Sequence, residues 1–356
     1  MDFTFTEDQQ LFRDSVKDFL QTEISAERIR ASWDTETGRS DELWQQMVDL
    51  GLMAMLVPEA QGGLGMNELD FVLLAVESGR VALPEPLIET AMVATPLLAS
   101  LADKDPRCAS LLEKLAAGET RVAVQHAVNQ LIADAHVADW LILSDGDQVH
   151  LLSRDEVTLI AQQSVDPSRR LFTVEWTGTQ ESCLAKGAEG VALLAATLNR
   201  GALGAAAQLV GLAEAMVAIS VQYTGERAQF GKAIGVNQAL KHHMADCAVK
   251  SEFAKAPLYR AAYTVSTRPE HADFAVSHAK VVAGEAALLA AKNSIQSHGA
   301  MGYTWECDLH IWMKRSWALD KFWGHAGFHK NRLHHWLLKP TAKIGADKTF
   351  GEQLSA

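Results

Sequence analysis

The chain has 356 residues, 48% apolar and 21% charged, with a net charge of −12. That length holds two or three domains and a sizeable core. The acidic balance excludes nucleic acid as the main partner, because neutralising phosphates takes clustered Lys and Arg, yet it leaves room for an anionic ligand in a local basic site. The cysteines Cys108, Cys183, Cys247 and Cys307 lie far apart with no Cys-x-x-Cys pair, which fits reduced thiols in a cytoplasmic protein better than a disulfide frame or a zinc site. Met1-Asp2-Phe3-Thr4-Phe5 has no basic n-region or apolar h-region, so no secretory signal is expected.

Residues 1–117 read as a helical domain. Thr6 and Gln9 have capping-box spacing, and Leu11, Val16, Phe19 and Leu20 recur near the helical period. A helix from about Asp41 to Leu50 would end at Gly51 as its C-cap. The stretch Leu56–Gly65 is a turn-rich loop, helical pattern resumes at Asn67, and it pauses at Pro84 and Pro86. Residues 118–189 change to short β-type runs: Val122–Val124, Trp140–Leu143, Val149–Leu152, Val157–Ile160 and Leu171–Val174. Asp145-Gly146 between two of them is a hairpin signal, and the close spacing suggests a small barrel or sandwich. Residues 190–356 return to helix. Ala205–Ala207 with Gly211, and Ala283–Ala291 with Gly284, supply the small side chains that let helix axes approach closely in a bundle. Gly201–Val221 is long enough to span a bilayer, but it carries Gln208 and Glu214, and a mid-span charge is costly in lipid. A buried bundle helix is the expectation, with no membrane insertion.

Two short stretches carry most of the functional information. The first is Arg227-Ala228-Gln229-Phe230-Gly231, followed by Gln238; the second is Gln296-Ser297-His298-Gly299-Ala300-Met301-Gly302-Tyr303. Each joins a cationic or planar hydrogen-bonding side chain to glycine, where backbone N–H groups approach a ligand closely. An arginine fork plus such N–H groups suits phosphate. Taken singly, Arg227 could be a surface ion-pair arginine, Phe230 a core residue, and Gln296–Gly302 a plain helix C-cap and turn.

Both stretches resemble the flavin-binding segments of the acyl-CoA dehydrogenase family. Phe5–Gln10, Leu43-Trp44 and Val57–Gly65 resemble the family's opening. Glu226–Gly235 with Gln238, Lys241-His242, Ala245 and Asp246, and then Gln296–Glu306, resemble its C-terminal signatures. The resemblance implies a mainly α fold with a small β domain: an N-terminal helical domain, a middle β-barrel and a C-terminal four-helix bundle. It implies FAD shared across a subunit interface, an acyl-CoA substrate, and electron-transfer flavoprotein as a further partner. In the family's reaction a base takes the α hydrogen as a proton and a hydride leaves the β carbon for the flavin. Carried onto this chain, Arg227 pairs with the diphosphate. Gln229, Phe230 and Gly231 lie against the cofactor, with Phe230 beside the adenosine, and Gln238 hydrogen-bonds near it. Gln296 and Ser297, with the backbone from His298 through Gly299 to Ala300, complete the phosphate site. Ala300 stands where the family usually has a second glycine, which narrows the approach there.

Two departures matter. The segment Arg121–Asn129 stands where the family has its Thr-Glu-Pro-x-Ala-Gly-Ser-Asp ring-lining motif, and it has no Glu-Pro, Gly-Ser or Asp. The usual base position falls at Gly324 and the alternative near Gly201-Ala202, so no catalytic base is identified; Glu306 matches a structural position. These losses, with Asp308-Leu309-His310 after the Gly-Tyr-Thr-Trp-Glu run, resemble the smaller subunits of heteromeric α2β2 acyl-CoA dehydrogenases that act on steroid CoA thioesters. The implied partner is a larger subunit or, for a self-sufficient enzyme with an unrecognised base, another copy; a flavin-free structural subunit is the third possibility. His325, His329, His334 and His335 lack a companion carboxylate or thiol, so no metal is expected, and they read as polar positions of a surface or interface helix. His242 and His243 read likewise, and Trp305, Trp312, Trp317, Trp323 and Trp336 suggest a subunit contact or ordinary core.

Overall fold

The computed structural model describes residues 4–340, with 342 and 345. Helix α1 (Glu7–Glu23) opens on the capping box: Thr6 Oγ1 accepts from the Gln9 N–H, and Gln9 Oε1 accepts from the Thr6 N–H. Val16 and Leu20 are buried, but Leu11 is 65% exposed and stands off the apolar face. Helix α2 (Ala26–Trp33) and α3 (Asp41–Asp49) follow, and α3 ends at Gly51 with φ 79, where the Leu52 N–H reaches back to Met47 O. Helix α4 (Glu68–Arg80) starts from an Asn67 cap. Past Pro86, a π-helical stretch (Ile88–Ala94) runs into α5 (Thr95–Ala99), and α6 (Pro106–Ala116) closes the helical layer.

The expected β runs all form strands, in two sheets. Strands β1 (Val122–Val124), β3 (Trp140–Asp145), β4 (Gln148–Ser153) and β7 (Cys183–Ala185) make one, in that order, with β1 parallel to β3 and the rest antiparallel. Strands β2 (Ile132–Ala133), β6 (Leu171–Glu175) and β5 (Thr158–Gln162) make the other. A two-residue turn, with Gly146 at φ 58, joins β3 to β4. Ala123, Ile132, Leu141, Leu143 and Leu152 fill the core of this layer.

The bundle comprises α7 (Gly187–Glu226), α8 (Gln238–Thr267) and α9 (Ala272–His298), then α10 (Leu309–Lys321) and α11 (Ala326–Leu337). A hairpin of β8 (Ala228–Gln229) and β9 (Lys232–Ala233) joins α7 to α8. Helix α7 is a central strut, buried from Gly201 through Ala213. Two of its polar residues are satisfied by neighbouring helices: Glu214 pairs with Arg80 and Lys255, and Gln208 Nε2 donates to Ser78 Oγ. Glycine sets the α4–α7 crossing. A Cβ at Gly79 would overlap the Gln208 backbone, and one at Gly211 the Val76 backbone. Buried ion pairs tie the layers together, Arg39 to Asp134 and Arg315 to Asp166, and Arg315 Nη1 also donates to Leu83 O at 2.7 Å.

Candidate functional site

The two motif stretches meet at one end of the bundle. Helix α7 ends where the Arg227 N–H reaches Tyr223 O at 2.8 Å. The Tyr223 ring stacks on His298, centroids 4.2 Å apart and 18° from parallel, so the last turns of α7 and α9 are in contact. Arg227 and Gln296 are both exposed there. The hairpin turn falls on Phe230 (φ 54) and Gly231 (φ 80), which gives the tight reversal that two left-handed residues produce. Phe230 is therefore held away from the core and is 99% exposed, with Gln229 and Gly231 exposed beside it. Gln238 is the exposed first residue of α8, and the Asn237 side chain does not cap that helix; it donates to Ile234 O instead. The Leu240 and Lys241 N–H groups bond Asn237 O, which leaves the Gln238 and Ala239 N–H groups, at the positive end of a 30-residue helix dipole, close after the arginine hairpin in sequence.

The second stretch differs in detail from the expectation. Ser297 and His298 are buried, with Ser297 Oγ donating to Asn293 O and His298 Nδ1 bonded to Ser294 O. Because a carbonyl only accepts, His298 carries its proton on Nδ1. The Gly299 N–H (φ 60) is spent on Gln296 O and Ile295 O, closing α9. Ser297, His298 and Gly299 therefore offer no free side-chain or N–H donor of the kind expected. The C-terminal end of a helix also carries partial negative charge, which is unsuited to phosphate. What stays outward is Gln296, Gly299, Ala300, Met301 and Tyr303. The exposed donors at this end are the Arg227 guanidinium and the uncapped start of α8. Sequence reasoning missed the start of α8, because Asn237 reads as a good N-cap and only the structure shows its side chain turned to Ile234 O.

The two positions expected for a base, Gly201 and Gly324, converge on one residue. A Cβ at Gly201 would fall inside the Trp323 indole, and Trp323 is 1% exposed. A Cβ at Gly324 (φ 94) would lie 2.6 Å from Phe328 Cδ1 and 2.8 Å from His329 Nε2. Neither place has room for a carboxylate. The polar side chains facing them from the β layer are turned to the chain itself. Gln125 Oε1 accepts from the Ser144 N–H at 3.0 Å, His126 Nε2 bonds Leu194 O at 3.2 Å, and Asn129 Oδ1 accepts from the Trp323 N–H at 2.7 Å. In the segment 125–129, Gln125 Oε1, His126 Nε2 and Asn129 Oδ1 are thus bonded within the chain, while Asn129 Nδ2 is buried without a partner.

Burial also shifts several titratable side chains. His329 is fully buried within the chain, contrary to the surface or interface position expected; Nε2–H donates to Trp323 O at 2.9 Å, and Nδ1 is 3.1 Å from Ser277 Oγ. Desolvation lowers its pKa to about 3. Lys280 Nζ donates to Leu319 O, Asp320 O and Gly324 O, and desolvation brings it down to about 8. Glu85 is 4% exposed and desolvation pushes it up to about 7. His325 Nδ1 caps α11, accepting from the Gly327 and Phe328 N–H groups. Among the described residues no cluster of His, Cys, Asp and Glu is placed to hold a metal ion.

Comparison with known proteins matches this layout. Residues 6–134 match the acyl-CoA dehydrogenase N-terminal domain and residues 188–338 the acyl-CoA dehydrogenase C-terminal domain. The chain is 31% identical to acyl-CoA dehydrogenase IpdE2 of Mycobacterium tuberculosis, over 87% of this chain and 91% of that one. Among solved structures, the ChsE4-ChsE5 complex from Mycobacterium tuberculosis superposes with a TM-score of 0.82 at 22% identity, covering 97% of this chain and 100% of that one. The Tcur3481-Tcur3483 steroid ACAD superposes with a TM-score of 0.82 at 22% identity, covering 92% and 97%. These two establish the fold, and the matched domains with the 31% identical relative establish descent: the chain belongs to the acyl-CoA dehydrogenase family.

Proposed function

We propose that this chain is the non-base subunit of a heteromeric acyl-CoA dehydrogenase, contributing the grip on the FAD diphosphate and adenosine to a site whose ring pocket and base belong to a larger subunit. The observation that carries this reading is a contrast within one molecule. Arg227 and Phe230 stand out from the bundle on a hairpin, whereas the Trp323 indole packs directly on Gly201, where a base would stand. When bound, the flavin supplies the hydride acceptor. The chain's own part is to bind and orient: Arg227 as a forked donor to phosphate oxygens, the first turn of α8 as neutral N–H donors, Phe230 as an aromatic face, and Gln238 and Gln296 as amide partners. A 99% exposed phenylalanine in a left-handed turn is disfavoured in water and is accounted for by a covering surface. The partner we propose is the larger subunit, with electron-transfer flavoprotein as the electron acceptor, in the cytoplasm. The acyl group we propose is a steroid or comparably bulky CoA thioester; support comes from the smaller-subunit resemblance and from a fold neighbour described as a steroid ACAD.

The test is a flavin-to-protein ratio, measured on the chain alone and after co-expression with a candidate larger acyl-CoA dehydrogenase subunit. Colourless protein alone and yellow, dye-reducing protein with the partner supports the clamp. A yellow, acyl-CoA-oxidising chain by itself means a self-sufficient homo-oligomer. Colourless protein in both means a structural subunit.

A further inference from the structure

The β layer leaves one long sheet edge open. Its two sheets end in β1 and β7 on one side, and in β2 and β5 on the other. Strands β1 and β2 have three and two residues and are buried, and β7 has three. Strand β5 has five, with Thr158, Ile160, Ala161 and Gln162 exposed. It pairs with β6 from Thr158 to Gln162, and among the described residues no strand lies along its other side. A strand's N–H and C=O groups point both ways in the sheet plane, so that side presents a row of them to solvent.

Such edges are usually blunted by charge, proline or a bulge. Strand β5 has none of these. Val157 to Val165 reads Val-Thr-Leu-Ile-Ala-Gln-Gln-Ser-Val, nine residues without charge, glycine or proline in a chain that is 21% charged. The β5–β6 register runs without a shift. Apolar side chains stay in water along this edge: Ile160 is 43% exposed and Val165 52%.

We infer that β5 pairs with the β5 of a second copy of this chain, antiparallel about a two-fold axis at Ile160, joining two three-stranded sheets into one of six strands. The strand's own residues select that occupant. About this axis Ile160 faces its counterpart, a β-branched pair that is favourable across strands. Thr158 faces Gln162 of the second copy. Strand β5 already makes a hydroxyl–amide contact of that kind to β6, where Gln162 Nε2 donates to Thr173 Oγ1 at 3.3 Å. Asp155 and Glu156, just before the strand, fall opposite Val165 and Ser164 of the second copy, so no carboxylate meets a carboxylate. Because β5 has one open side, the pairing closes at two chains. A five-residue strand pair buries less than the roughly 1,200 Å² of a standard interface, so the isolated chain dimerises weakly, with a dissociation constant of about 100 µM. The pairing uses neither the arginine hairpin nor flavin.

The test is sedimentation velocity of the full chain from roughly 1 µM to 1 mM, a range that brackets this constant. Wild type should pass from monomer to dimer and no further. Ile160→Lys and Ile160→Glu should each weaken the dimer about tenfold, because like charges then meet at the axis. Mixing the two variants should restore the dimer, as a heterodimer. Ile160→Cys should cross-link chain to chain under mild oxidation, with wild type, which keeps its own four cysteines, as the control. Ile160 is exposed, so the thermal midpoints of these variants should stay near that of wild type; if a charged variant does not fold, the Ile160→Cys cross-link decides. A wild type that stays monomeric, a dimer that Ile160→Lys leaves unchanged, or a mixture no tighter than either variant alone overturns the inference. A monomeric wild type whose binding to the larger subunit is lost in Ile160→Lys would assign the edge to that subunit and overturn the second-copy pairing. The clamp is read from flavin content, so the two can fail separately.

Discussion

Arg227 gives the sharpest test of the clamp, because the structure separates its two possible roles. Its guanidinium is exposed and, among the described residues, joins no ion pair or side-chain hydrogen bond. The backbone N–H that closes α7 onto Tyr223 O survives any side-chain change. Arg227→Ala should therefore alter fold stability by no more than about 0.5 kcal/mol, the usual range for a surface change. A charge-assisted hydrogen bond to phosphate is worth about 1.5–3 kcal/mol. Its loss should weaken FAD binding about tenfold to a hundredfold. Arg227→Lys should recover part of this, since it keeps the charge and loses the fork. The assay is FAD titration of the flavin-stripped complex with the larger subunit, followed by flavin fluorescence, with the thermal midpoint of the same sample as control. An unchanged dissociation constant refutes the role. A weaker constant accompanied by an equal loss of stability would show that Arg227 acts through the fold.

Other expectations follow from burial and backbone geometry. Phe230→Gly removes a left-handed Cβ and should stabilise the isolated chain by about 1 kcal/mol, while weakening flavin retention in the complex; a variant that leaves the complex unaffected speaks against a covered ring. Glu85, raised to about 7 by burial, contributes stability below its unfolded pKa that is lost as pH rises through 7. Glu85→Gln, which keeps the acceptor for the Ser40 N–H, should gain up to about 3 kcal/mol on wild type at pH 8 in urea unfolding and nothing near pH 4; a pH-independent gap would rule this out. His329, lowered to about 3, runs the other way, its stability being present above the unfolded pKa and lost as pH falls towards 3. His329→Gln should lose less stability than wild type on acidification from pH 6.5, and parallel acid limbs would reject that assignment. Gly79→Ala should destabilise by about 3 kcal/mol or more, because its Cβ meets Gln208 backbone that cannot move aside; a near-neutral result would mean that α4 and α7 are not in backbone contact.

Local signals were legible in the sequence because they are local in the chain. The Thr6–Gln9 box, the Gly51 cap, the Asp145-Gly146 hairpin and the five β runs each depend on neighbours a few residues away, and each is found where its spacing places it. The arginine and glutamine motifs were equally readable, as was the lack of a carboxylate at Gly201 and Gly324. The sequence did not say which of those motif atoms were already spent. Ser297, His298 and Gly299 look like open donors in a row of letters, but the end of α9 uses them to satisfy its own carbonyls. His329 looks like a surface histidine until Ser277 and Trp323 close over it. Residues 201 and 323 become neighbours only when the loop after α10 folds back onto α7, and only that contact shows that a glycine without a base is also a glycine with a ring on it. Chain-local capping and periodicity settled which elements form and which chemistry the chain resembles. Long-range packing decided which groups remain free to act, because a donor or a cavity is available only when nothing distant in sequence has already taken it.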